Sequence, residues 1–274
     1  MESNSLELLH AVQLDMLVKF DSICSKNHLT YFLDSGTALG AVRHGGFIPW
    51  DDDVDIAMPR SDYDRLLQLG EKGLPDNLFV QTYKNDLNYM CPFGKIRLGN
   101  SFFPDIDVEK MKFQGIYIDI FPFDKLPQNT YFAKIRIVFS RLLWFFCVFS
   151  RREYPGKNIV LKVLSSLLHR LSDRGKLMLF RFYDSFCTRY NRLDSDAWTC
   201  YCWNMSQHHV YIFDEKELFP TNTIEFEGKM FKIAYDAHSY LTKMYGDYSV
   251  LPALEKRKTH LRNRSFSLYD KSFD

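Results

Sequence analysis

The sequence predicts a mixed α/β fold, classed as α+β, with a helical middle. Three observations support this: strand patterns alternate with helical ones in the first half, residues 129–192 follow a helical period, and the tail has a hairpin pattern before a final helix. With 274 residues, 46% of them hydrophobic, the chain can bury one large core. Because the tail is short, we expect it to pack onto the first half.

The first half begins with an amphipathic helix over residues 5–25, where leucine and phenylalanine recur at helical intervals. A strand is predicted at 29–33, directly before a turn of small residues, and another at 54–58. The sequence RSDYDRLLQL at 60–69 has a helical period, and Ser61 is a suitable residue to cap the start of that helix.

Three more strands are predicted before the helical middle, at 78–83, 91–98 and 115–124. Pro122 should end the last of them, because proline cannot donate a hydrogen bond to a neighbouring strand. The helical middle has a break at Pro155–Gly156.

The tail contains one hairpin and one helix. Residues 223–234 form two strand patterns around Gly228. Asp236 is a suitable N-cap for the last helix, and Gly246 a suitable C-terminal stop.

The charge balance is close to neutral, with 35 lysine and arginine residues against 34 acidic ones. We therefore expect no nucleic-acid partner. The N-terminus lacks a basic region followed by an apolar run, so we expect a cytoplasmic protein whose six cysteines are free thiols. The cysteines and histidines of CYCWNMSQHH at 200–209 do not have the spacing of a zinc site.

The longest apolar stretch, IRIVFSRLLWFFCVFSRR at 135–152, predicts a buried helix. It is interrupted by Arg141 and is shorter than a membrane-spanning helix requires. The alternative is a helix lying on the inner face of the cell membrane, with its four arginines near lipid phosphates. These are Arg136, Arg141, Arg151 and Arg152.

Four aspartates stand at the start of the strand in FIPWDDDVDIAM, residues 47–58. Strand alternation places Asp51, Asp53 and Asp55 on one face, with the Cα atoms of the last two about 6.6 Å apart. Two carboxylates at about 5 Å repel by roughly 3 kcal/mol at an effective dielectric of 20. Asp53 and Asp55 therefore predict a Mg²⁺ or Mn²⁺ site. For Asp51 and Asp52, a solvated acidic turn explains the sequence equally well.

A phosphate-binding turn is predicted directly before these aspartates. Ser35, Gly36 and Thr37 follow a strand, and Thr37 can begin a helix whose N-terminal N–H groups face an anion. A third carboxylate is expected from Asp119, which interrupts the apolar strand YIDIF. Asp107 is its rival, but the residues flanking Asp119 are more apolar. Asp119 would act as a metal ligand, as a general base, or as both.

Four cationic side chains are candidate substrate ligands. Arg43 and His44 follow the phosphate turn, with Arg43 as a phosphate clamp and His44 as an aid to proton transfer. Lys95 and Arg97 alternate on one face of the strand GKIRL, and we expect them to point at the same site.

Four segments resemble the LicD family of phosphocholine transferases, which are relatives of fukutin-type proteins. In chain order they are GTALGAVRHGGFIPWDDDVDIAMPRSDYDRLL, GIYIDIFPFDKLP, EFEG and YLTKMYGDYSVLPALEKRKTH. The resemblance runs from about residue 30 to 260 and is weak only in the helical middle. Ala253 stands where the family pattern has a second proline.

The resemblance implies a nucleotidyltransferase-like core sheet with flanking helices and a helical insertion. It divides a single domain, residues 1–274, into a catalytic core at 29–125, the insertion at 126–215 and a C-terminal hairpin and helix at 216–274. It assigns Gly36 and Thr37 to the turn and Asp53, Asp55 and Asp119 to the metal. It also adds Arg257 and His260 to the candidate substrate ligands.

The resemblance implies transfer of a phosphorylated small alcohol, typically phosphocholine from CDP-choline, to a hydroxyl group of a cell-surface glycan, with release of CMP. Two alternatives remain open from the residues alone. One is a nucleotidyltransferase that uses a nucleoside triphosphate, and the other is a non-catalytic glycan-binding protein on a decayed transferase fold.

Overall fold

The computed structural model describes residues 2–89, 91–103, 111–152, 154, 156–203, 210–257, 259 and 266–268. Within these ranges the chain forms eight α-helices. They are α1 Glu2–Lys26, α2 Ser35–His44, α3 Arg60–Lys72, α4 Thr130–Arg151, α5 Ile159–His169, α6 Asp173–Thr188, α7 Glu215–Leu218 and α8 Ala237–Tyr245.

The same ranges contain eleven β-strands. They are β1 Phe32–Leu33, β2 Asp55–Pro59, β3 Leu78–Gln81, β4 Gly94–Leu98, β5 Ser101–Phe102, β6 Tyr117–Lys125, β7 Ala197–Thr199, β8 Phe213–Asp214, β9 Asn222–Phe226, β10 Lys229–Ile233 and β11 Ser267–Leu268. The predicted mixed α/β fold is confirmed.

Nine of these strands form one open mixed sheet in the order β3-β4-β6-β2-β1-β10-β9, extended by β7 beside β6 and by β8 beside β7. The central strands β2 and β6 are parallel, with Asp55 opposite Asp119. Strand β1 is antiparallel to β2 and parallel to β10, with Leu33 opposite Ile233. The C-terminal hairpin thus continues the sheet that carries the aspartates.

The local predictions for the opening helix, the hairpin and the last helix are confirmed. Helix α1 spans the predicted region, and β9 and β10 turn at Gly228, whose φ is +71°. Asp236 caps α8 by accepting a hydrogen bond from the Ser239 N–H, and Gly246 follows its last residue. Strand β1 is shorter than predicted, with two residues.

The prediction that Ser61 caps α3 is wrong. The helix begins one residue earlier, at Arg60, with Pro59 in the N-cap position. Arg60 is buried and makes a bidentate ion pair with Asp124 and a second pair with Asp184. These long-range contacts fix the start of the helix, whereas Ser61 is exposed within its first turn.

The prediction that Pro122 ends its strand is also wrong, because β6 continues to Lys125. The Asp119 N–H donates to the carbonyl of Val54, the residue just before β2, so by alternation the nitrogen of Pro122 faces the opposite side of β6. On that side the pairing with β4 stops at Ile120, and the pairing with β7 starts at Asp124. Pro122 lies between the two partners, where no ladder hydrogen bond is lost.

The helical middle has a smaller apolar core of its own. Helix α4 packs against α6 through a cluster of buried residues, which includes Ala133, Ile137, Cys147, Phe180, Tyr183 and Cys187. Only one side of α4 is buried in this way. Of the arginines predicted to lie near lipid phosphates, Arg136 instead packs on Phe186 and Tyr190, and Arg151 packs on Phe180. None of the described helices is long and apolar enough to cross a membrane.

Candidate active site

The candidate site lies where β1 ends and β2 begins. Because these strands are antiparallel, the Asp34 N–H donates to the Asp55 carbonyl at 2.9 Å. The neighbouring strand β6 brings Asp119 opposite Asp55, and β4 brings Lys95 opposite Asp119. Strands β1, β2, β6 and β4 are thus neighbours in the sheet. Strands β2, β6 and β4 contribute Asp55, Asp119 and Lys95, and Asp34 directly follows β1.

Five carboxylates share this edge, and we call them the acidic cluster: Asp34, Asp51, Asp53, Asp55 and Asp119. Burial raises the pKa of Asp53 well above its usual value, and so do the charges of Asp51 and Asp119. Burial likewise raises the pKa of Asp55, with further contributions from Asp53, Asp119 and Asp34. Asp119 lies opposite Asp55 in the pairing of β2 with β6, and Asp53 precedes Asp55 by two residues, so these carboxylates belong to one part of the sheet. The arrangement is strongly unfavourable for ionised carboxylates without positive charge.

Lys95 supplies one positive charge to the acidic cluster. Its ammonium lies 2.7 Å from Asp119 Oδ1 and 3.4 Å from the centre of the Tyr117 ring. Both members of the ion pair are buried. One lysine leaves the cluster with a large excess of negative charge.

Arg97 also lies over the Tyr117 ring, at 4.8 Å, but its guanidinium points into the protein. It donates to Gln81 Oε1 at 2.7 Å and to the Gly115 carbonyl at 2.8 Å. These partners hold the edge of the sheet together. The proposed substrate ligands therefore do not include Arg97.

The turn at Ser35–Thr37 is built differently from the prediction. Helix α2 begins at Ser35, two residues before Thr37, and Asp34 caps it by accepting the Ser35 N–H at 2.8 Å. Ser35 has a φ of +45°, in the left-handed region that is unfavourable for residues with a Cβ. The Thr37 hydroxyl accepts the Asp55 N–H at 2.8 Å, so it ties the helix to β2.

Gly36 lets Asp51 approach this turn. A Cβ added to Gly36 would lie 2.6 Å from Asp51 Oδ2. A carboxylate oxygen therefore already lies against the turn that we predicted to cradle a phosphate. Any phosphate bound here must share the turn with Asp51 or displace its side chain.

Asp34 was not among the predicted site residues. It is fully buried and accepts hydrogen bonds from Tyr240 Oη, from Trp203 Nε1 at 3.1 Å and from the Ser35 N–H. Burial raises the pKa of Asp34 to about 6, although these hydrogen bonds counteract the rise. The only local indication in the sequence is an acidic residue between a buried strand and the glycine turn.

A group of cations and aromatic rings lies beside the acidic cluster, and we call it the basic rim. Arg43 Nη1 donates to the Tyr248 carbonyl at 3.1 Å, and Arg43 Nε lies 3.1 Å from His44 Nε2. Burial lowers the pKa of His44, with further lowering by the charges of Arg43 and Arg257. Arg257 lies over the Trp50 ring at 5.2 Å. Outside β4, four cations were predicted as substrate ligands, and the structure brings three of them together: Arg43, His44 and Arg257. His260 lies outside the described residues.

Tyr245 links the basic rim to the acidic cluster. Its pKa is raised by burial and by the charges of Asp55, Asp34 and Asp51, and its own charge in turn acts on Arg43. The ring is 43% exposed, so part of it faces solvent. A ligand that spans the two groups would pass this side chain.

The C-terminal hairpin holds the loop between the turn and the aspartates. Glu227 Oε1 accepts the Phe47 N–H at 2.9 Å, and the Glu227 N–H donates to the Gly45 carbonyl at 2.9 Å. A Cβ on Gly46 would collide with the same carboxylate. The EFEG sequence therefore positions the loop without touching the acidic cluster.

The acidic cluster fits a divalent cation in charge and in the type of its donor atoms. Its carboxylate oxygens are the ligands that Mg²⁺ and Mn²⁺ prefer. Asp53, Asp55 and Asp119 are the side chains that would hold the ion. As they are placed, no three acidic, histidine or cysteine side chains in the described part of the chain surround a common point at coordination distance. The side chains must move together to bind a metal.

The comparisons with known proteins agree with the resemblance noted in the sequence. Residues 28–145 match the family model for the LicD/FKTN/FKRP nucleotidyltransferase domain. The lipopolysaccharide cholinephosphotransferase LicD of Haemophilus influenzae is 29% identical over 275 residues, which cover 95% of this chain and 97% of the relative.

Two relatives of unassigned function match shorter segments. A protein of Rickettsia prowazekii is 35% identical over 131 residues, covering 39% of this chain and 49% of the relative. One of Rickettsia typhi is 33% identical over 135 residues, covering 48% of this chain and 41% of the relative. Residues 28–145 are thus similar to the LicD/FKTN/FKRP nucleotidyltransferase domain, and the similarity to the Haemophilus influenzae relative extends over nearly the whole chain.

Proposed function

We propose that the chain transfers phosphocholine from CDP-choline to a hydroxyl group of a cell-surface glycan or its lipid-linked precursor and releases CMP. Residues 28–145 match the LicD/FKTN/FKRP nucleotidyltransferase domain, and the Haemophilus influenzae relative, which aligns with 95% of the chain, is named for cholinephosphate transfer and lipopolysaccharide. The observation that carries the proposal is the convergence of Asp53, Asp55 and Asp119 beside a separate group of cations. All six cysteines are free, which fits the cytoplasmic location that we propose.

The acidic cluster is the proposed place of reaction. A Mg²⁺ or Mn²⁺ ion held by Asp53 and Asp55, with Asp119 as a third ligand, would neutralise charge on the diphosphate of the donor. Asp119 would also accept the proton of the attacking hydroxyl, while its carboxylate is held by the ion pair with Lys95. The attacked phosphorus is the one that carries the choline, so the CMP phosphate leaves.

The basic rim is the proposed place for the negative charge of the leaving group. Arg43 and Arg257 are permanent cations, and the charges of both lower the pKa of His44. Arginine is suited to phosphate because its guanidinium donates two parallel hydrogen bonds. We keep His260 as a further predicted ligand of the same group, together with the Ser35–Thr37 turn.

Aromatic rings near the acidic cluster favour choline over an uncharged alcohol. Phe121 follows Asp119 by two residues, so it lies on the same face of β6. Its ring is 4.5 Å from Trp203 and 4.4 Å from Phe93, and Trp203 donates to Asp34. A trimethylammonium group is attracted by aromatic faces and by nearby carboxylates.

The test is CMP release from a set of cytidine diphosphate alcohols, with surface glycan as the acceptor. We expect CMP from CDP-choline in the presence of Mg²⁺, and none with EDTA or with Asp55→Asn. Asp76→Asn is the control, because Asp76 lies in a turn at a φ of +58°, a conformation that asparagine also adopts.

Other products would favour the alternative functions. Pyrophosphate released from a nucleoside triphosphate, without CMP from any donor, would indicate a nucleotidyltransferase. Glycan binding without release of either product would indicate a non-catalytic protein.

A further inference from the structure

The helical hairpin formed by α4 and α5 exposes many large apolar side chains. On α4 they follow a helical stripe, with Tyr131, Phe132, Ile135, Val138, Phe139 and Leu142 all at least 46% exposed. On α5 the exposed residues are Ile159, Val160, Val163 and Leu167. We call these ten residues the hairpin surface. Soluble proteins rarely expose so many large apolar residues together without a partner.

The charge around the hairpin surface is unlike that of the whole chain. Residues 130–170 contain eight lysine and arginine residues and a single acidic one, whereas the whole chain has 35 and 34. The exposed cations of this segment are Lys134, Arg152, Lys157, Lys162 and Arg170. The apolar stripes therefore stand in a strongly basic surface.

We propose that the hairpin surface docks on an anionic lipid bilayer. An amphipathic helix that lies on a membrane combines an exposed apolar face with basic residues that contact lipid phosphates. Both features are present here, and neither helix of the hairpin is long and apolar enough to cross the bilayer. The helices would lie in the plane of the headgroups.

A second copy of the chain fits this surface less well. A symmetric dimer would bring the same patch of two copies together. The five exposed cations of the two copies would then repel each other. An anionic membrane supplies both an apolar layer and negative charge, so it complements both features at once.

The proposal is tested by sedimentation of the full chain with two kinds of vesicle. One contains phosphatidylcholine alone, and the other contains phosphatidylcholine with phosphatidylglycerol. We expect binding to the mixed vesicles that weakens as salt is added. The double variant Lys134→Gln/Lys162→Gln should weaken binding to mixed vesicles by about tenfold or more. This readout does not depend on the transfer reaction, so the proposal can fail while the proposed function holds.

Matched variants separate the apolar contribution from a general effect of added charge. Val138→Glu and Val163→Glu replace residues that are 56% and 55% exposed on the hairpin surface, and Met230→Glu replaces a 58% exposed residue of β10. We expect the first two to abolish sedimentation and the third to leave it unchanged, with equal unfolding temperatures. The proposal is overturned if wild type ignores both vesicles or if Met230→Glu weakens binding equally. It is also overturned if light scattering shows a dimer that Val138→Glu dissociates.

Discussion

The ammonium of Lys95 lies 2.7 Å from Asp119 Oδ1, and the two residues are directly opposite each other in the pairing of β4 with β6. Both side chains are buried at the centre of the sheet. Lys95 is therefore the cation that allows a carboxylate to remain on β6 without a bound ligand.

Lys95→Met should destabilise the protein strongly. It leaves the buried Asp119 without this cation, and breaking a buried ion pair by removing one partner costs about 3–5 kcal/mol. The measurement is the free energy of unfolding in urea. Lys19→Met is the control, because Lys19 pairs with Asp15 at 2.6 Å on a partly exposed side of α1. That change should cost about 0–1 kcal/mol. Equal losses in the two variants would contradict this role of Lys95.

Asp55→Asn should raise the stability of the protein in EDTA. It removes one of several buried carboxylates that repel each other, and we expect a gain of about 1–3 kcal/mol from the loss of this repulsion. Added Mg²⁺ should raise the unfolding temperature of wild type and have a smaller effect on the variant. Thermal unfolding with and without Mg²⁺ measures both effects. A variant that is less stable than wild type in EDTA would show that repulsion does not dominate at Asp55.

Two glycines of α2 should respond differently to substitution by alanine. A Cβ on Gly36 meets only the movable carboxylate of Asp51, so Gly36→Ala should lower CMP release with an unfolding free energy within about 1 kcal/mol of wild type. A Cβ on Gly40 would lie 2.5 Å from the backbone oxygen of Gly46. Gly40→Ala should therefore cost about 2–4 kcal/mol of stability. Assays of CMP release and urea unfolding on both variants check this contrast, which an equal loss of stability would contradict.

Glu217→Gln should lower stability at neutral pH but not at low pH. Burial would raise the pKa of Glu217, but hydrogen bonds from Lys243 at 2.6 Å, from Ser239 and from the Asp214 N–H lower it overall. A carboxylate with a lowered pKa in the folded state stabilises the protein above its unfolded pKa, near 4.5, and this contribution is lost as the pH falls through the folded value.

We expect a difference of about 1–2 kcal/mol between wild type and Glu217→Gln at pH 7, shrinking steadily below the unfolded pKa. Urea unfolding at a series of pH values measures it. Glu225→Gln is the control, because Glu225 is exposed on strand β9, and at pH 7 its free energy of unfolding should stay within about 0.5 kcal/mol of wild type. A difference that stays constant down to low pH would mean that Glu217 acts through packing instead of charge.

The fold was largely predictable where local sequence patterns determine it. The period of α1, the hairpin around Gly228 and the caps of α8 depend on neighbouring residues, and these predictions were confirmed. The failures involve distant contacts. Ser61 is a good cap in isolation, but the ion pairs of Arg60 with residues more than 60 positions away set the start of α3.

The convergence of the aspartates was also predictable, because it depends on local patterns. Alternation along one strand puts Asp53 and Asp55 on the same face, and Asp119 interrupts an otherwise apolar strand. Asp34 was missed because its significance depends on Trp203 and Tyr240, which lie 169 and 206 positions away. Arg97 had the expected strand position, but the sequence did not reveal that Gln81 and the Gly115 carbonyl bind its guanidinium. The catalytic and ligand roles of these residues remain predictions.

The parallel pairing of Leu33 in β1 with Ile233 in β10 joins the strands of the first half of the chain to the C-terminal hairpin. During synthesis on the ribosome, β1 and β2 emerge about 170 residues or more before β10 and α8. Until then β1 has an open edge, and Asp34 lacks its hydrogen bond from Tyr240. Such long-range pairing is typical of slow folding. The nascent chain therefore contains all five aspartates of the acidic cluster long before Asp34 gains its hydrogen bond from Tyr240 and β1 gains its second neighbour.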